Sequence, residues 1–234
     1  MNKVKYNISL KNVIKTINKK ALLKNINFDI PTGAICAFIG ASGSGKTTTI
    51  KVMMNLWESN SGEVKMAGLD YQDLKLHYKI GYVPEKENFP KKTALKFLTR
   101  MSELYDLEPN VISDRIHYYA KKLEVENILN DTLTNMSSGQ KKRIMILQAL
   151  IHQPQILIMD EPTENLDPNN REAFYKVITD LNKKGTTIFI SSHNLAEIEQ
   201  YIDYVVIIAN GEIKHTGPVK KGKGELKKIY EKYK

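Results

Sequence analysis

Eight consecutive residues, Gly40-Ala41-Ser42-Gly43-Ser44-Gly45-Lys46-Thr47, fit the pattern G-x-x-x-x-G-K-[ST]. Glycines at these positions let successive backbone N–H groups approach phosphate oxygens that a Cβ would obstruct. An apolar run, residues 34–39, ends just before the pattern, and a helical pattern begins after Gly45. That context adds the partial positive charge of a helix N-terminus. Lys46 then suits the β- and γ-phosphates and the Thr47 hydroxyl suits Mg²⁺, with Thr48 counted in the same phosphate-binding set. A glycine-rich loop can be a mere connector, but a connector does not require both flanks to be correct.

A second apolar run, residues 156–159, leads into Asp160-Glu161. Neighbours on a strand point opposite ways, so both carboxylates face one site only if the strand ends there. Asp160 is then the metal-side carboxylate and Glu161 the candidate base for a water. A single acid at a strand end would read as solvated. Met136-Ser137-Ser138-Gly139-Gln140 precedes an apolar helical pattern and places small residues at another helix N-terminus, a second anion site. His193 follows the apolar run 187–190 and Ser191-Ser192. Taken alone, such a histidine is more often structural or exposed than functional.

These residues need elements to hold them. The runs at 34–39, 156–159 and 187–190 are those of strands buried on both faces. Between them Phe174, Val177, Ile178 and Leu181 share a helical face, with Gly185 as a stop, and residues 144–151 are apolar nearly all round. The alternation predicts an α/β core with a mostly parallel sheet. Residues 6–13 and 22–30 read as opening strands, followed by the turn Pro31-Thr32-Gly33. Residues 91–134 carry no strand signal. Thr93 is placed as the cap of a helix with Leu95, Leu98 and Tyr105, and Asn110 as the cap of one with Ile112, Ile116, Tyr119 and Leu123. This stretch reads as a helical lobe inserted in the core. Asn210-Gly211 between two apolar segments predicts a hairpin with a type I′ turn.

Composition narrows the classes. The 234 residues are 41% hydrophobic and 26% charged, which excludes wholesale disorder. The single Cys36 excludes an intramolecular disulfide framework and suits a reducing interior. The lysine-strewn start has no apolar core of signal-peptide length. Runs such as Tyr204–Ala209 fall short of the roughly 18 residues a membrane helix needs, so the chain is not expected to span a membrane itself. Of the net charge of +9, residues 219–234 contribute +5, from seven lysines against two glutamates. A solvated basic end is the plain reading, with nucleic acid or an anionic membrane face as the alternatives. No DNA binding is read from the charge.

In this order the segments resemble the ATP-binding cassette of ABC transporters, over residues 8–217: phosphate loop, signature 136–140, Asp160-Glu161, Asn165-Leu166-Asp167 as the D-loop, and the switch His193. The resemblance implies a P-loop NTPase core with a parallel sheet, an N-terminal antiparallel β lobe and an inserted helical lobe. It assigns residues 6–217 to the cassette, about 91–144 to the helical lobe that meets membrane subunits, and 218–234 to a basic tail. It further implies a head-to-tail homo- or heterodimer in which Ser137, Gly139, Gln140 and Asp167 of one cassette meet the ATP held by the other. Glu161 matches the catalytic base and His193 the γ-phosphate contact. Thr47, Asp160 and Glu85 match the Mg²⁺ side, and ATP and Mg²⁺ are the implied cofactors.

Three departures stand out. Glu85 occupies the position where the family usually has the glutamine of the Q-loop, which adds negative charge near metal and nucleotide and resembles an exporter branch serving drug, antibiotic-peptide and sodium efflux. Ser138 replaces the first signature glycine, and Glu164-Asn165 opens the D-loop unusually. No aromatic stands where the family stacks adenine, Ile17 being the nearest match. The implied function is ATP hydrolysis that drives transport, leaning to export, through separate permease subunits at the cytoplasmic membrane face, with no nucleic acid partner expected. A soluble ABC-type ATPase acting on nucleic acid or a ribosome is the alternative.

Overall fold

The computed structural model describes residues 5–86 and 89–233. Two long strands, β1 (Tyr6–Ile17) and β2 (Lys20–Pro31), open the chain as an antiparallel pair. The parallel sheet begins with β3 (Ile35–Ile39), after which the phosphate-loop segment leads into α1 (Lys46–Met53). Strands β4 (Ser61–Met66) and β5 (Leu69–Asp70) return to the opening pair, giving a four-stranded sheet in the order β2-β1-β4-β5. These two short, mostly polar strands carry no strand signal in the sequence.

The second sheet has six strands. To β3 it adds β6 (Ile80–Val83), β7 (Ile156–Asp160), β8 (Thr187–Ser192), β9 (Tyr204–Ala209) and β10 (Glu212–Pro218), in the order β10-β9-β3-β8-β7-β6. All neighbours are parallel except the β9–β10 hairpin. Its turn residues Asn210 and Gly211 have φ of 52° and 75°, the two positive values a type I′ turn demands.

The apolar runs are continuous because both sheet faces are buried. Along β3, Ile35, Ala37 and Ile39 enter one hydrophobic cluster while Cys36 and Phe38 enter the other. β7, β8 and β9 split the same way, as period-two alternation requires. The cluster under the antiparallel sheet is keyed by Phe28, Phe38 and Phe189, with Phe28 and Phe189 stacked at 6.0 Å. Burying each such ring is worth about 1.5–3 kcal/mol.

The helices are α2 (Ala94–Ser102), α3 (Pro109–Lys122), α4 (Ser138–Leu150), α5 (Pro168–Lys183), α6 (Leu195–Ile198) and α7 (Glu225–Glu231). Thr93 does cap α2, its hydroxyl accepting the Lys96 N–H. Asn110 does not cap α3. That helix starts two residues earlier than such a cap would place it, at Pro109, whose missing N–H suits the first position, and Glu108 is the cap. Helix α4 organises three segments through successive cations. Lys141 donates to the Thr134 carbonyl, Lys142 to those of Pro84 and Glu85, and Arg143 to those of Leu123 and Glu124.

The described lysines beyond Gly217 are exposed, as expected of a solvated end, but the segment also forms α7. Leu226 is fully buried there, and its N–H donates to Glu199 at 2.9 Å.

Candidate active site

The turn between β3 and α1 is built from conformations open to glycine. Gly43 and Gly45 have φ of 77° and 113°. A Cβ on Gly40 would lie 2.4 Å from both the Ser44 hydroxyl and the Ile208 carbonyl oxygen, so the loop closes only because that position is bare. The far hairpin is stitched to it: the Gly211 N–H donates to the Ser44 carbonyl at 2.9 Å. Ala41, Ser42 and Gly43 are exposed, while Ser44 is buried.

Lys46, the first residue of α1, donates to the Gly40 carbonyl at 2.7 Å and the Ala41 carbonyl at 3.4 Å. Its ammonium lies 3.9 Å from the Glu161 carboxylate. Glu161 follows the last residue of β7 and has φ of 48°. Such a left-handed conformation costs a non-glycine residue about 1–2 kcal/mol. The reversal takes Glu161 out of strand alternation, which is how its carboxylate reaches the same side of the sheet end as Lys46. The other Glu161 oxygen lies 2.9 Å from Nδ1 of His193, an exposed ring just beyond β8.

Asp160 stays inside. It is 1% exposed, and one carboxylate oxygen accepts the Ser191 hydroxyl at 2.5 Å. The Ser191 oxygen in turn accepts the Glu161 N–H at 2.9 Å, so one hydroxyl ties the two acids together. The second Asp160 oxygen is buried without a hydrogen-bond partner among the described residues, as is the Ser44 hydroxyl. A buried acceptor left unpaired is costly. Donation from a cation's hydration shell is the chemistry that satisfies it, so these residues fit Mg²⁺.

A cleft of about 680 Å³ lies over these groups. It is lined by the phosphate loop from Ser42 to Thr48 without Ser44, and by Glu85, Glu161 and His193. Its size falls within the roughly 300–1,000 Å³ of small-molecule sites. Lys20 and Leu22, which carry no signal in the sequence, line it too, as does Glu164, notable in the sequence only as the unusual opening of the D-loop. Ile17, nearest in sequence to the base-stacking position, is followed by two left-handed residues, Asn18 and Lys19. Leu22 on the returning strand is the apolar side chain that lines the cleft. In the sequence Ser191 stands only as the approach to His193; in the fold it holds Asp160.

Ser137, Gly139, Gln140 and Asp167 do not line this cleft. They form a second locus. Ser137 caps α4 in a reciprocal box with Gln140, the serine hydroxyl accepting from Gln140 and the glutamine carbonyl accepting from Ser137. A Cβ on Gly139 would stand 2.9 Å from the Asn165 carbonyl oxygen, which brings signature and D-loop into contact. Asp167 caps α5 through the Asn170 N–H, and that bond holds its carboxyl below the usual range. Arg171 connects onward, donating to the Leu166 carbonyl and to Glu197, which also accepts from the Asn194 side chain.

A model of the family described as ABC transporter matches residues 23–164. A putative ABC transporter ATP-binding protein of Mycoplasma pneumoniae is 37% identical over 204 residues, 86% of this chain. This chain spans 63% of that relative's length. The zinc uptake system ATP-binding protein ZurA of Listeria innocua is 32% identical, with 89% of this chain and 83% of that protein covered. Among solved structures, a dimeric post-hydrolysis state of an ATP-binding cassette bound to ADP and Pi superposes with a TM-score of 0.83 at 26% identity, covering 91% of this chain and 99% of that one.

Proposed function

The chain belongs to the ABC transporter ATP-binding family, and from that premise we propose that it drives transport through separate permease subunits, its own part being to bind and hydrolyse ATP as one half of a cassette dimer. One observation carries the reading: the Glu161 carboxylate stands between Lys46 and His193 at the end of a strand whose last residue is a buried aspartate.

Lys46 places a positive charge on the β- and γ-phosphates, exchanging the Gly40 carbonyl for phosphate oxygens. Glu161 accepts a proton from the attacking water, and His193 holds Glu161 in place while facing the γ-phosphate. Thr47, Asp160 and Glu85 are the metal-side groups. Mg²⁺ held there neutralises charge on the phosphate oxygens. Gly40, Ala41, Ser42, Gly43, Ser44, Gly45 and Thr48 supply the rest of the phosphate cradle. The second locus, Ser137, Gly139, Gln140 and Asp167, is assigned to the nucleotide held by the partner cassette. Its separation from the Lys46 cleft within one chain supports that assignment. In this reading residues 6–217 form the cassette, with the helical lobe at about 91–144.

Among the described residues no helix is long and apolar enough to cross a membrane. In the proposed reading the permease supplies the anchor and the chain docks on its cytoplasmic face. The export direction rests on Glu85. The test is fractionation followed by transport. Co-purification with a multi-span membrane protein in high salt supports the assignment, whereas co-sedimentation with ribosomes overturns it. ATP-driven uptake of cargo into inside-out vesicles supports export, and efflux from them reverses the direction.

A further inference from the structure

Lys142 is the anomaly of this molecule. It lies near the start of α4 and is 5% exposed, yet among the described residues no carboxylate is within 4.0 Å of its ammonium. Burying an unpaired ammonium is among the least favourable arrangements a fold can hold. Two main-chain oxygens solvate it instead, those of Pro84 at 3.2 Å and Glu85 at 2.8 Å. Burial holds its amine below the usual lysine range, against the pull of Glu164, Asp160, Glu85 and Glu161.

We propose that Lys142 is a positioning residue for the reaction, clamping the backbone that carries Glu85 to the helix that carries Ser137, Gly139 and Gln140. The inference rests on the reading of Glu85 as a metal-side group. The clamp acts on carbonyls 84 and 85, and the Glu85 side chain lines the Lys46 cleft from that same backbone. Lys142 is two residues beyond Gln140, so a shift of the first turn of α4 moves the ammonium and the Glu85 backbone together. The ammonium also supplies a positive charge on the side of the site where a glutamate stands in the position for which a neutral glutamine would suffice. Clamp and counter-charge are thus one group.

The test uses the full chain. In nucleotide-free protein, amide hydrogen exchange is measured over residues 81–86 and, as an internal control, over residues 156–160. Lys142→Met removes both hydrogen bonds. It is expected to raise exchange in the first segment about tenfold or more while the control stays within about twofold. Its kcat is expected to fall about 10–100-fold, while ATP affinity without Mg²⁺ changes by less than about threefold. Lys142→Gln is shorter and reaches one carbonyl rather than two, so intermediate values of about threefold in both exchange and kcat are expected. Unchanged exchange at residues 81–86 in Lys142→Met overturns the clamp. Raised exchange with kcat within about twofold of wild type overturns the catalytic role. Where the methionine variant does not fold, wild-type exchange and turnover in Lys142→Gln overturn the proposal. Glu85→Ala separates the premise: full turnover there removes Glu85 from the metal side, while the exchange data still judge the clamp.

Discussion

The Glu161 carboxylate and Nδ1 of His193 lie 2.9 Å apart, across 32 residues of sequence, with the Lys46 ammonium 3.9 Å from the other carboxylate oxygen. A carboxylate held between an imidazole and an ammonium is fixed in direction, the placement the proposed general base requires. Glu161→Gln keeps size and hydrogen-bonding reach but accepts no proton at neutral pH. Turnover is expected to fall about 10²–10⁴-fold while ATP binding survives and an ATP-dependent dimer accumulates. Phosphate release beside size exclusion in Mg-ATP checks this, and wild-type turnover would end the assignment.

Lys46→Ala acts on the other side of the same contact. In the proposed reading the side chain is a charge on phosphates, and among the described residues its only hydrogen bonds are to two loop carbonyls. ATP affinity and turnover are expected to collapse while the thermal midpoint without nucleotide moves by a few degrees at most. Equilibrium nucleotide binding and a melting curve decide it. A fully retained affinity for ATP counts against the phosphate-loop reading.

Acid is expected to destabilise the chain through His152. Its ring stacks on Tyr105 at 4.0 Å, and Nε2 lies 3.0 Å from the Ile80 carbonyl oxygen, to which it donates. Burial pushes its pKa down from 6.5 to about 4. Between those values the unfolded chain takes a proton that the folded chain refuses, so stability falls as pH drops from 6.5 to 4. The shift corresponds to about 3 kcal/mol. His152→Gln retains a donor for the carbonyl and removes the titration. Its melting temperature is expected to vary less with pH across that window than wild type, and an identical slope in both proteins would falsify the assignment.

Removing residues 220–234 tests the C-terminal helix. The sequence shows seven lysines in that segment beside Leu226, Ile229 and Tyr230, which suit a small apolar helical face docked on the cassette, and it predicts that hydrolysis tolerates their loss. The structure adds a cost, since Leu226 is fully buried and its N–H is held by Glu199. The loss of one such side chain is worth about 1.5–3 kcal/mol, so a fall of roughly 5 °C in melting temperature is expected. Turnover per folded molecule at 25 °C is expected to stay near wild type. A large loss there would show that α7 supports the His193 loop through α6.

What could be read from sequence had strong local causes. The phosphate loop, the two-faced strands and the Asn210-Gly211 turn each follow from residue types within a few positions, and their backbone angles are those the residues demand. Strands β4 and β5 were not legible, because Ser61-Gly62-Glu63 carries no apolar alternation and pairs through β1. Lys142 was hidden for the opposite reason. It sits in a run of three cations that looks like a solvated face, and only the fold reveals that each one binds the carbonyls of a different segment. Leu22 and Lys20 reach the cleft through a hairpin whose two left-handed residues, Asn18 and Lys19, are not glycines.

The hydrogen bond from Gly211 to Ser44 bears on how the chain is made. The phosphate loop leaves the ribosome early, but the donor that finishes it is encoded 167 residues later. A Cβ at position 211 would meet the Leu22 carbonyl oxygen at 2.4 Å, so no bulkier turn can take its place. A nascent chain stopped before Asn210 therefore carries the complete motif and an unfinished loop. The loop's geometry is complete only once the β9–β10 hairpin has closed over residues made long before it.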